Sequence, residues 1–156
     1  MVRRILDTNG LVNTPVSAAV SIGKMGRVYD LNLSNCSITV LPPVISKLRL
    51  LKLRIKETPL DSLPDEIGRI LSLYHLVLQR NNLVYIPDSF GNLTHLKHLD
   101  ISGNKLSSLP ESIINLTNLE FLTLIHNRLK SVPTPVKVWI DNNSYETNWE
   151  ELQDGR

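Results

Sequence analysis

The chain has 156 residues, a one-domain length, and its formal net charge of +2 is too small to argue for nucleic acid by itself. A single cysteine, Cys36, excludes an internal disulfide and fits a reducing compartment. No stretch is long and apolar enough to predict a membrane-spanning helix, and the opening MVRRILDTNGLVNTP lacks the apolar run of a secretory leader.

In chain order, residues 1–13 are expected to be mobile or loosely packed. Thr14-Pro15 offers a hydroxyl N-cap followed by proline at the first helical position. Val16, Ala19 and Val20 share one face, and Gly23 or Gly26 can end the element. A capping helix is therefore predicted over 14–24.

From Val28 onward the chain repeats itself. The blocks begin at Val28, Leu50, Leu73, Leu96 and Leu119, and a shortened copy, PVKVWIDNNSY, follows. Asn81, Asn104 and Asn127 are spaced by 23 residues, as are Pro87, Pro110 and Pro133. Cys36 and Thr58 fill the asparagine slot in the first two copies, and Asn143 is aligned with it in the last. Within a copy, Leu99 and Ile101 alternate with His98, Asp100 and Ser102, the period-two pattern of a short strand with one buried face. Ile67, Phe90 and Ile113 recur on the returning segment, where the prolines suit irregular or short helical backbone. One copy cannot bury its own apolar edge, so the copies must stack.

The pattern L-x-x-L-x-L-x-x-N/C-x-L, followed by x-x-L-P-x-x-I-x-x-L, resembles the leucine-rich repeat family over about residues 28–145. The 23-residue L-P form is similar to the intracellular Ras-suppressor and plant Ras-group-related repeat proteins. The resemblance implies a short α/β solenoid: a parallel β-sheet on the concave face, an irregular or short helical convex side, and helical caps. It also implies that Asn81, Asn104 and Asn127 form a ladder bonding backbone of their own and the neighbouring coil. Cys36 and Thr58 are poorer at spanning two coils, and Pro59 removes a donor beside Thr58. The chain divides into an N-terminal segment with a capping helix (1–27), the repeats (28–145) and a C-terminal cap and tail (146–156). In the last part Thr147 to Leu152 has a capping-box arrangement, with Trp149 and Leu152 as the lid.

Catalytic patterns are missing: there is no G-x-G-x-x-G, no P-loop and no H-E-x-x-H. Cys36, in the asparagine slot, is expected to be buried and inert. His75 and His98 occupy one strand position in successive coils, but the next residues in that column are Lys52 and Phe121, which leaves a zinc ion short of ligands. The sequons at Asn32, Asn35, Asn92, Asn115 and Asn142 are read as incidental to the repeat. Neither an enzyme nor a cofactor or metal protein is expected.

What remains is surface. Lys52, Arg54 and Lys56 alternate onto one face, and Arg80 lies one coil away, a small cationic stripe. Tyr74, Val77, Phe121, Ile125 and Trp139 put apolar and aromatic groups on the same predicted face, together with His75, His98 and Asp100. Trp139 has a second place open to it, packed on the C-terminal cap. The expectation is a cytoplasmic, monomeric signalling adaptor or scaffold whose concave face binds a protein of acidic or mixed surface, with no role for nucleic acid or membrane. A microbial or viral effector that binds a host protein, or a structural repeat protein, fits the same residues.

Overall fold

The computed structural model describes residues 1–10, 20–22, 27–130 and 132–144. Five short strands, β2 (Val28–Asn32), β3 (Lys52–Arg54), β4 (His75–Val77), β5 (His98–Asp100) and β6 (Phe121–Thr123), pair in parallel in chain order. β1 (Val20–Ile22) closes the first edge, antiparallel to β2. The register is the one the repeat dictates: Leu31, Leu53, Leu76, Leu99 and Leu122 are direct neighbours and fully buried. Two residues on, Leu33, Ile55, Leu78, Ile101 and Leu124 are buried as well. This is the alternation expected of a sheet with one face in the core.

Three residues beyond each parallel strand lies a residue of positive φ: Asn35, Glu57, Arg80, Gly103 and His126, at 54–65°. Only one is glycine, although this region costs other residues about 1–2 kcal/mol. In the first four coils the residue is held by its own N–H, which donates to the next coil's carbonyl at 2.8–3.0 Å.

Behind the turn runs the asparagine ladder. Asn104 Nδ2 donates to the Ile101 carbonyl of its own coil and the Leu78 carbonyl of the coil before, and its Oδ1 accepts the Leu83 N–H. Asn127 repeats this with Leu124, Ile101 and Leu106. Asn81 reaches Leu78 and Ile55 in the same way, but meets threonine on its acceptor side. There the Thr58 N–H and hydroxyl both donate to Asn81 Oδ1, and the same hydroxyl accepts the Leu60 N–H. Thr58 thus relays a bond that asparagine makes directly, and the ladder passes Pro59 unbroken. Cys36 is half-buried rather than sealed, with its Sγ 3.5 Å from the Ser34 carbonyl.

The returns start at an extended proline (Pro42, Pro64, Pro87, Pro110) and form five-residue 3-10 helices. Their central residues, Ile45, Ile67, Phe90 and Ile113, are fully buried. Coils two to four pack closely here. A Cβ on Gly68 or Gly91 would collide with the backbone of Ser89 or Ser112. The two serine hydroxyls donate back to the carbonyls of Asp65 and Asp88 at 2.7 Å.

Both ends depart from the sequence reading. Residues 20–22 of the predicted 14–24 capping helix form strand β1, and the rest of that segment lies outside the described residues. A helix, α1 (Val2–Thr8), lies within the segment expected to be loose. Its Val2, Ile5 and Leu6, at helical spacing, are buried against the first coil. Asn9 fastens it: Nδ2 donates to the carbonyls of Ile5 and Val40, and Oδ1 accepts the N–H groups of Thr39 and Val40.

At the other end PVKVWIDNNSY is not a shortened repeat. Pro133 holds the recurring proline slot, and the fifth return is drawn out into α2 (Thr134–Asn143), with Pro135 in its first turn where a missing N–H costs nothing. Ile114 replaces the glycine of the two preceding returns, so the close Gly–Ser packing cannot be repeated there. The sixth strand position is reached only at Ser144, which bridges to Leu122. Asn143 is therefore outside the ladder, and its amide donates to the Trp139 carbonyl of its own helix. The cap predicted over Thr147–Leu152 lies outside the described residues.

Candidate functional site

The side chains between the buried leucines project from the sheet in columns one coil apart. The first column runs Asp30, Lys52, His75, His98, Phe121. Parallel strands are about 4.8 Å apart, and the rings use that spacing to stack. The centroids of His75 and His98 are 4.2 Å apart at 15°, and those of His98 and Phe121 are 4.2 Å apart at 2°. Lys52 Nζ sits 5.7 Å from the centre of the Tyr74 ring, a cation–π contact. Tyr29, within β2, and Leu51, which leads into β3 as Tyr74 leads into β4, are exposed and extend this apolar margin.

Burial in the stack pushes the pKa of His75 below the ordinary imidazole value; the positive charges of His98, Lys52 and Arg54 push the same way, and Asp30 opposes them. For His98 burial again lowers the pKa, against the Asp100 carboxylate. Both rings thus favour the neutral form that stacks best. Among the described residues no three His, Cys, Asp or Glu side chains gather to hold a metal ion.

The second column is Asn32, Arg54, Val77, Asp100, Thr123. It changes the predicted cationic stripe. Arg54 Nη2 lies 3.1 and 2.9 Å from the two oxygens of Asp30, whose side chain is only 13% exposed. Arg80 pairs with Glu57 at 3.0 Å. Asp100 accepts the N–H and hydroxyl of Ser102. Two of the four predicted cations are therefore neutralised within the face. Lys52 and Lys56 have no carboxylate partner among the described residues. Sequence reading overlooked Asp30 and Glu57 as partners; setting the coils under one another at the repeat spacing places each one coil before its arginine.

Eleven of the twelve predicted residues lie on the strands or close beside them in the chain: Lys52, Arg54, Lys56, Tyr74, His75, Val77, Arg80, His98, Asp100, Phe121 and Ile125. Trp139 does not. It is buried on α2, 7% exposed, where it lids the last coil, and its indole Nε1 has no partner. The cause is the misplaced sixth copy: the residue falls in a return, not in a strand.

Leucine-rich repeat patterns match residues 71–129 and 27–48. The chain is a leucine-rich repeat protein. Among solved structures this repeat protein is similar to the leucine-rich repeat ectodomain of the receptor kinase SOBIR1 from Arabidopsis thaliana. That pair shares 28% identity with a TM-score of 0.72, over 92% of this chain and 87% of the other. It also resembles a chain of the BIR3–SERK2 complex from Arabidopsis thaliana at 28% identity and TM-score 0.67, over 81% and 72% of the two chains. A plant ice-binding protein aligns at 27% identity and TM-score 0.68; 84% of this chain spans 46% of that one. Among curated proteins none matches at a significant level. Repeat domains of this kind serve as protein-interaction modules, and the Ras-suppressor-like class expected from the L-P spacing is not singled out by these likenesses.

Proposed function

We propose that this repeat protein is a non-enzymatic interaction module that takes a protein partner on its concave sheet face. The observation that supports it is the stack of His75, His98 and Phe121 beside the Lys52–Tyr74 pair. Aromatic groups in register on a solvent-facing sheet, next to two lysines without a carboxylate partner among the described residues, are the mixed chemistry of an interface hot spot. The partner offers an apolar side chain to the ring stack and a carboxylate to Lys52 and Lys56, which narrows the acidic or mixed surface expected from sequence. Arg54 and Arg80 already hold carboxylates and serve to shape the face.

A lysate pull-down read by mass spectrometry tests this, comparing the native chain with the triple variant Lys52→Glu, Tyr74→Ala, Phe121→Ala. All three positions lie on the solvent side of the sheet, so the circular dichroism spectrum should be retained. A partner lost only in the variant supports the sheet face, and partners retained in full overturn it. The lone Cys36 supports a cytoplasmic adaptor. The likeness to a receptor ectodomain along most of both chains favours a second reading, a recognition domain outside the cell. Fractionation of the expressing cells decides between the two.

A further inference from the structure

Charge is unevenly divided along this solenoid. Residues 1–56 carry nine of the 17 lysines and arginines but two of the 15 acids, a balance of +7; residues 57–156 carry eight and thirteen, a balance of −5. The small net charge hides a strongly positive first end. At that end a cleft of about 660 Å³ opens where α1 meets the first coil. Arg3, Arg27, Lys47 and Arg49 line it, Val2, Val28 and Leu48 supply its apolar part, and no carboxylate lines it among the described residues. Arg3 is paired along α1 with Asp7 at 3.6 Å. Arg27, Lys47 and Arg49 are exposed and have no carboxylate partner among the described residues.

Cations gathered without counter-charge repel one another, and a bound anion relieves that repulsion. Guanidinium groups present planar donor pairs that match phosphate oxygens, and lysine adds a point charge. The volume falls in the range of about 300–1,000 Å³ typical of small-molecule sites. The site is distinct from the ring stack: it lies at the end of the solenoid and draws on the N-terminal helix and the first return.

We propose that this cleft binds a ligand bearing several phosphomonoester groups, either a free metabolite or the headgroup of an anionic lipid. The proposal does not rest on the sheet-face reading, because none of its residues belongs to that face.

Titration calorimetry of the full chain with inositol hexakisphosphate as probe, at low and high salt, tests it. Binding that weakens with salt is expected, and Lys47→Glu with Arg49→Glu should weaken it on the order of tenfold or more. Lys105→Glu with Arg128→Glu, the same charge change on coils four and five, should leave it unchanged. Co-sedimentation with phosphatidylcholine vesicles, with and without phosphatidylinositol bisphosphate, identifies the source. Binding to the soluble probe supports the free metabolite, and binding confined to the bisphosphate vesicles supports the lipid. No binding to either, or an equal loss in both charge variants, overturns the proposal. So does an oligonucleotide bound through Lys47 and Arg49 when the inositol probe is not.

Discussion

Two sets of columns run through this solenoid at the same period, and they obey opposite rules. In the buried set the residue changes little: leucine in the strand, asparagine at three of the five ladder positions, proline at the start of the return. On the sheet face one column changes from Asp30 to Lys52 to His75 to His98 to Phe121. The difference follows from what each position must satisfy. A ladder asparagine has to meet a donor and two carbonyls fixed by the backbone, and nothing else of that shape does so without a helper. A face residue needs only to tolerate its neighbours one coil away, so sequence is free to vary there and recognition can be written into it.

The contrast is sharpest in stability. Asn104→Ala strips the side-chain partner from the Leu83 N–H and takes one donor each from the Leu78 and Ile101 carbonyls, which still accept from Asn81 and Asn127. The unsatisfied buried N–H costs about 1–3 kcal/mol and each of the two lost carbonyl bonds about 0.5–1.5 kcal/mol, so urea unfolding should show a loss of about 3 kcal/mol. A loss no larger than that of a surface substitution would mean that water reaches the ladder. The Gly–Ser packing on the convex side comes next. Gly91→Ala drives a Cβ into the Ser112 backbone and is expected to cost about 1–3 kcal/mol by the same measurement. Asp30→Ala, on the sheet face, removes the partner of Arg54 from a half-exposed pair and should cost about 1 kcal/mol or less. If it costs as much as the ladder substitution, the face is structural rather than free.

The smallest effect is one of pH. His75 and His98 both have folded-state pKa values below the ordinary 6.5, so the unfolded chain takes up protons first as pH falls. The stability they contribute is fully present above pH 6.5 and is lost as pH drops through the folded values. Urea midpoints measured on both sides of that point should show the decline, and His98→Phe should flatten it. A midpoint that rises on acidification would contradict the stack as a neutral assembly.

The stacked coils were legible because their signal is repeated. Five copies in register name the buried leucines, the turn and the return without reference to anything outside one coil. The ends carry no such redundancy. Val2, Ile5 and Leu6 have the spacing of a helix face, yet seven residues are too few for that spacing to stand out, and the segment was read as loose. The hydroxyl–proline pair of Thr14-Pro15 recurs as Thr134-Pro135, where it opens α2; alignment to the strand pattern concealed it and carried Trp139 onto the wrong surface.

By itself the sequence determined the period, the identity of the buried columns and the residues that could meet on the sheet, because each depends on an environment that one coil supplies to the next. Only the tertiary structure decided which charges remain available. Arg54 and Asp30, or Arg80 and Glu57, are remote along the chain and become neighbours when the coils stack. The same holds for the cleft between α1 and the first coil, whose cations come from three separate segments and share a space only once the helix is docked. Electrostatic pairing acts through distance in space, and distance in space is set by the stacking.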